Sequence, residues 1–265
     1  MSSTLFSTTG VVLARASYRE DDRLYVFFSS ELGKLRVIAR GARKPKAKIA
    51  PHLESYALVR VLLVETRGFY TVAGADTEAS FHHLFTRDDS AHLAFASAHL
   101  VDLVTREGDP ASPVYHELMH WWKFLETTPA LSVRRSGVML GAFSLRLAGH
   151  AGYLPELNRC LHCRTPIRPS YFEWSSTRGG VVCLDCLERH QEMWLRTQAL
   201  KNETLKLLRM SHHYPYEALL QTSVSADVCE EFHQTVDALI LAHFPVIPVV
   251  PIQAMCQVDP AGFFR

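Results

Sequence analysis

Four cysteines fall in two tight pairs, Cys160 with Cys163 and Cys183 with Cys186; two residues separate the members of each pair and nineteen separate the pairs. Zinc favours four thiolates in a tetrahedron, and zinc–sulfur bonds near 2.3 Å set the sulfurs of such a pair about 3.5–4 Å apart. The spacing matches the zinc-ribbon pattern, in which roughly 15–20 residues separate two such pairs. Reduced pairs without metal, or two disulfides, are the bland alternatives. Four thiolates leave no position for water, so the expected role of a single zinc ion here is structural. His162 and His190 flank the quartet and read as exposed neighbours of a complete site.

A second group sits on a helix pattern. His116, Glu117 and His120 match the H-E-x-x-H motif of zinc hydrolases, in which two histidines one turn apart hold the metal and the glutamate acts as base. No third ligand stands at the usual downstream positions. Trp121, Trp122, Phe124 and Leu125 come next and form a core-forming stripe, so a structural helix is the favoured reading. No phosphate-binding glycine loop of the Walker type and no serine-nucleophile motif occurs, which argues against nucleotide use and acyl transfer.

The third group is cationic. Lys34, Arg36, Arg40, Arg43, Lys44, Lys46 and Lys48 lie in a stretch with no acidic residue between Glu31 and Glu54. Strand alternation sets Lys34, Arg36 and Arg40 on one face and Leu35, Val37 and Ala39 toward a core. A basic strand feeding a mobile basic loop is a groove for phosphates, which carry affinity without sequence information. A solvated charged face is the alternative. Tyr25, Phe27 and Tyr70 are the aromatic residues from which base platforms are expected.

The elements that must position these groups change character along the chain. Five strands, at Phe6–Ala16, Arg23–Ser29, Lys34–Arg40, Tyr56–Glu65 and Phe69–Gly74, suggest a small closed barrel. Helical periodicity is present at Asp88–Arg106, at Pro113–Thr127 behind Ser112, and at Val133–His150, which Gly152 closes. Around the cysteines, Tyr171–Trp174 and Val181–Val182 read as hairpin strands joined through Gly179 and Gly180, with each cysteine pair at the end of a small hairpin. Helices are expected again over Thr197–Met210 and, capped by Ser225, over Ala226–His243, before an extended proline-rich tail. The fold class is therefore α+β, organised as residues 1–80, 81–157, 158–190 and 191–265.

Composition narrows the setting. The 265 residues are 48% hydrophobic with a net charge of +1, ordinary for a globular protein. No run of roughly 18 apolar residues marks a membrane span, and the N-terminus does not read as a secretory signal. Paired cysteines at metal spacing then favour a reducing, cytoplasmic compartment. Charge is asymmetric: residues 1–80 hold 12 basic against 8 acidic side chains, and the remainder hold 16 against 19. That asymmetry is expected when one domain meets a polyanion.

Taken in order, these residues resemble the bacterial recombination mediator RecO family. The run Gly33-Lys34-Leu35-Arg36-Val37-Ile38-Ala39-Arg40-Gly41-Ala42-Arg43-Lys44-Pro45-Lys46 is similar to the family's N-terminal signature. Arg23 after two acids, Leu53-Glu54 and Arg67-Gly68 fit as well. Leu145-Arg146-Leu147, then Gly152-Tyr153-Leu154-Pro155-Glu156-Leu157 leading to Cys160, resembles the helix entering its zinc module, and Gly179-Gly180 precedes Cys183 as in that module. The segment after Phe244 departs from the family pattern. The resemblance implies an OB-fold, a helical body with an inserted zinc module, and no catalysis. It implies binding of single- and double-stranded DNA, strand annealing, and partnership with RecR and the acidic C-terminal tail of single-stranded-DNA-binding protein to load RecA. Carried over residue by residue, Lys34, Arg36, Arg40, Arg43, Lys44 and Lys46 would contact DNA, and Cys160, Cys163, Cys183 and Cys186 would hold zinc. Arg134, Arg135 and Arg146 are candidates for the acidic tail. The competing classes are a hydrolase using His116, Glu117 and His120, and a zinc-ribbon transcription or RNA-binding factor.

Overall fold

The computed structural model describes residues 4–54, 56–66 and 68–244. The proline-rich segment after Phe244, and Cys256 with it, lies outside the described residues. Strands β1 (Thr4–Ser17), β2 (Arg23–Ser29), β3 (Gly33–Ala39), β4 (Ala57–Thr66) and β5 (Phe69–Ser80) close into a barrel of order β1-β2-β3-β5-β4. Every pairing is antiparallel except the short parallel one between β3 and β5. Alternation builds its interior: Val12, Tyr25, Phe27, Leu35, Val37, Val59, Val61 and Leu63 point inward and are buried. β5 runs past Gly74 to Ser80, because a register shift at Leu62/Leu63 lets it continue beside β4 as far as Ala57. Its polar second half, with Asp76, Thr77 and Glu78, hides this extension from a reading based on hydrophobic pattern.

Helices α1 (His83–Thr86), α2 (Asp88–Val104) and α3 (Ser112–Thr127) belong to the same compact unit as the barrel, which ends at Ala130. Aromatic contacts fasten α3 to the strands and to the segment before α1. The Tyr115 ring lies 5.7 Å from Phe28, and Trp122 lies edge-on to Tyr56 and Phe81 at 5.4 and 6.0 Å. By its internal contacts the first compact unit thus extends past the change from strand to helix near residue 80.

The second unit begins at Leu131. It contains α4 (Val133–His150), β6 (Phe172–Ser175), β7 (Gly180–Cys183), α5 (Leu184–Arg189), β8 (Gln198–Ala199), α6 (Asn202–His213), α7 (Tyr216–Leu220) and α8 (Ala226–His243). α4 is buried from Ser136 to Ala148, with α6, α7 and α8 packed against it. Gly137 and Gly141 make the α8 contact possible: a Cβ there would sit 2.7 Å from the His233 ring and 2.5 Å from the Phe232 ring. The helix ends as expected. Gly152 takes φ +92° and the Tyr153 N–H returns to the Ala148 carbonyl at 2.8 Å.

Two expectations change in this unit. α6 starts at Asn202 rather than Thr197, because Gln198 and Ala199 pair with β6 and make a three-stranded sheet of order β7-β6-β8. The second cysteine pair is divided: Cys183 ends β7, the return strand of the β6–β7 hairpin, as expected, whereas Cys186 lies in α5. The α+β class, the five-stranded barrel, the helical C-terminal region and the clustered cysteines are all present. Among the described residues, no helix is long and apolar enough to cross a membrane.

Candidate nucleic-acid interface and metal centre

β3 and the turns after it carry the cations. Arg36, Arg40, Arg43, Lys44, Lys46 and Lys48 are exposed. The loop is not the mobile tether expected from its composition. The Gly41 N–H donates to Asp22 Oδ1 at 2.8 Å and the Arg43 N–H to the Asp21 carbonyl at 2.9 Å. Ala42 is buried in the barrel core, and Ile49 packs against it. Backbone bonds and an apolar plug therefore fix the loop to the β1–β2 turn, while its cationic side chains point to solvent. Asp21 and Asp22 have this bracing role, which a search for cations passes over.

Not every cation is equally available. Arg36 pairs with Glu107, and Lys44 with Asp21 at 3.3 Å; all four side chains are about half exposed or more, so these pairs are weak and exchangeable. Arg40, Lys46 and Lys48 have no ion partner among the described residues. Lys34 departs from the expected interface. It is buried, and its Nζ donates to Asp102 Oδ1 at 2.9 Å and to the Asp102 carbonyl on α2. Strand alternation does turn it outward from the barrel, but outward at that point means under α2. Lys34→Ala is expected to lower the unfolding free energy by about 1–3 kcal/mol, by leaving Asp102 without its partner. Denaturant titration alongside DNA titration checks this. Lost DNA affinity at unchanged stability would return Lys34 to the interface.

Tyr25 and Phe27 are fully buried inside the barrel, so neither can serve as a base platform. Tyr70 packs edge-on to Phe6 at 6.0 Å.

In the second unit, the ligand atoms of Cys160, Cys163, Cys183 and Cys186 all lie within 4.8 Å of one another. The Sγ atoms of Cys163 and Cys183 are 3.8 Å apart, the edge length of a tetrahedron of thiolates around zinc-sized ions. Backbone N–H groups of His162 and Cys183 both point at Cys160 Sγ at 3.4 Å, as donors to a thiolate. A side-chain hydrogen bond with Thr165 draws the Cys163 thiol down to about 6, whereas burial pushes the Cys183 and Cys186 thiols up. Four sulfurs this close cannot all ionise unless a cation joins them. The donor set and geometry thus fit a metal ion. His162 and His190 are exposed and their rings lie 4.4 Å apart, with His162 Nδ1 3.6 Å from Cys186 Sγ, beside a complete quartet. The core beneath is small: Cys160, Val182, Cys186 and Trp194.

The hydrolase motif does not assemble. His116 Nδ1 turns back to the Ser112 carbonyl at 2.8 Å, and among the described residues the cysteine quartet is the one group arranged to hold a metal.

The three arginines considered for an acidic partner part company. Arg146 is buried under the helices; its Nε donates to the Ser211 carbonyl at 2.7 Å and its guanidinium lies 4.0 Å over the Tyr216 ring. It is a packing residue, unavailable to a partner. Arg134 is exposed at the start of α4, and Arg135 beside it donates to the Thr222 carbonyl at 2.6 Å. Both line a cleft of about 450 Å³ with Val133, Val138, Val224 and Cys229.

Comparison with known proteins converges on one family. Residues 1–81 match the family described as Recombination protein O N terminal, and residues 87–248 match Recombination protein O C terminal. The chain is similar to proteins named DNA repair protein RecO. That of Heliobacterium modesticaldum is 32% identical over 72% of this chain and 69% of its own length. That of Bacillus subtilis is 26% identical over 86% and 85%. That of Desulfitobacterium hafniense is 29% identical over 69% of this chain, and the match spans 64% of its length.

Proposed function

The chain belongs to the recombination protein O (RecO) family, and from that membership we propose that it is a non-enzymatic mediator of recombinational DNA repair in the bacterial cytoplasm. Its barrel, read as an OB-fold, binds single- and double-stranded DNA. The observation that carries this reading is the set of exposed cations Arg40, Arg43, Lys44, Lys46 and Lys48, fixed on one barrel loop beside Arg36. Two DNA strands repel each other. Cations held in a fixed array release condensed counterions from both and let complementary strands approach and pair. Nothing in this step requires a nucleophile or a nucleotide.

In the second unit the cysteine quartet holds one zinc ion. When bound, the ion supplies a structural crosslink, and the thiolates of Cys160, Cys163, Cys183 and Cys186 tie the ends of the module together. The cleft at the start of α4 suits the acidic tail of single-stranded-DNA-binding protein, because Arg134 and Arg135 stand beside apolar side chains. With RecR as partner, the protein would clear a place for RecA on coated strands.

Annealing of complementary oligonucleotides tests the reading, first naked and then coated with the single-strand binder. The protein is expected to accelerate both. Arg134→Glu is expected to slow only the coated reaction, by about tenfold or more, since a like charge facing the acidic tail costs several kcal/mol. No acceleration of naked strands would overturn the annealing role. Equal rates for the variant and the parent on coated strands would remove the tail from this cleft.

A further inference from the structure

An aromatic ring stands in solvent beside the basic loop: Tyr18, directly after β1 and 43% exposed. Its backbone is fixed: the Tyr18 N–H donates to the Asp22 carbonyl at 3.1 Å and closes the β1–β2 turn. That turn is the one that holds the basic loop, through Asp21 to Arg43 and Asp22 to Gly41. The Arg43 guanidinium also reaches the Arg19 carbonyl at 3.5 Å. Tyr18 and the cations of the loop are therefore parts of one hydrogen-bonded rim. The guanidinium carbon of Arg19 lies 5.2 Å from the Tyr18 ring centroid, so the ring is backed by a cation. Tyr18 takes no place in the barrel core, which is complete without it.

We propose that Tyr18, backed by Arg19, is a stacking platform for an unpaired nucleobase. The chemistry is that of a flat apolar face next to phosphate-binding cations, the combination by which proteins hold single strands without reading sequence. A duplex keeps its base faces in its own stack and offers the rim only phosphates. The platform thus gives this rim a preference for single strands that cations alone do not supply. The inference rests on the DNA-binding reading above and adds to it the residue that tells one strand from two.

Three variants at this position test it in the full-length protein, with oligo(dT) and a blunt duplex as probes. Tyr18→Ala is expected to weaken oligo(dT) binding roughly five- to hundredfold and to leave duplex binding unchanged, the range set by one lost base stack. Tyr18→Phe keeps the flat face and is expected to bind oligo(dT) like the parent. All four tryptophans are buried, so Tyr18→Trp adds a single exposed indole, whose emission is expected to be quenched by oligo(dT) and not by duplex. Equal thermal midpoints for parent and variants would show that the fold is intact. Unchanged oligo(dT) affinity in Tyr18→Ala overturns the proposal, as does an equal loss on both probes. If removing the loop cations abolishes binding while Tyr18→Ala does nothing, the phosphate rim stands and only the platform falls. If neither change matters, the DNA-binding reading falls too.

Discussion

Replacing Arg40, Arg43, Lys44 and Lys46 together by alanine is expected to weaken oligo(dT) binding by roughly two orders of magnitude near 0.15 M salt. Each single-strand phosphate contact contributes about 0.7 to the slope of log affinity against log salt, which is about half a log unit at that concentration. Four lost contacts should therefore also make the slope shallower by about three. The fold should survive, because the bonds that fix the loop come from the backbone N–H groups of Gly41 and Arg43, not from their side chains. The side-chain pair lost, Lys44 with Asp21, is exposed and contributes little. Anisotropy titrations at several salt concentrations measure both quantities. Affinity and slope equal to those of the parent would move the phosphate site elsewhere. Extending the set to Lys34 should add instability but no further change in slope, since its ammonium is held by Asp102.

Alternation could turn the loop's cations outward and could not show that Lys34 is covered. Period-two patterning separates the inside of a barrel from its outside, and it placed Leu35, Val37 and Ala39 correctly in the core. It cannot say which outward residues another element covers, and α2 covers Lys34. The same blindness explains Arg146, an arginine among apolar helix residues whose carbonyl partners, at Ser211 and Tyr214, lie more than sixty residues away. Tyr25 and Phe27 were attractive as base platforms only because aromatic residues on a barrel can face either way. Tyr18 was legible in principle: an aromatic in a polar turn, outside any apolar period, has no core to enter. The cysteine quartet was the most legible feature of all, because metal geometry constrains spacing in sequence more tightly than packing does. Gln198 and Ala199 were the least legible, since only pairing with β6 makes them a strand.

That quartet carries the other large effect. Purified protein should contain one zinc per chain, and stripping it with a chelator, or substituting Cys160→Ser, should unfold the module between Glu156 and Ala199. The reason is the size of what remains. Without metal the module keeps the cluster of Cys160, Val182, Cys186 and Trp194, in which two of the four residues are ligands, and beside it only Phe172, Trp174, Val181 and a few partly buried side chains. A core so small does not offset the cost of ordering some forty residues, whereas zinc bound by four thiolates contributes about 10–16 kcal/mol in small zinc domains. The module does have seams to the helices: the Arg209 guanidinium on the Leu157 carbonyl at 2.6 Å, Asn202 on Ser170 at 2.8 Å, and His243 Nε2 with the Ser176 carbonyl at 3.1 Å. These are solvent-facing or partly buried bonds, each contributing roughly 1 kcal/mol, too few to hold the sheet alone. Trp174 and Trp194 are buried in or beside the module, so their emission should shift to the red as it opens. His116→Ala, by contrast, should keep the metal and the emission of the parent, because His116 is turned toward Ser112 on its own helix. The barrel belongs to the other compact unit, so oligo(dT) affinity and its salt slope should persist in the metal-free protein. Metal analysis that finds no zinc together with four free thiols would remove the crosslink. Coupled loss of metal and of DNA affinity would instead show that the quartet takes part in binding.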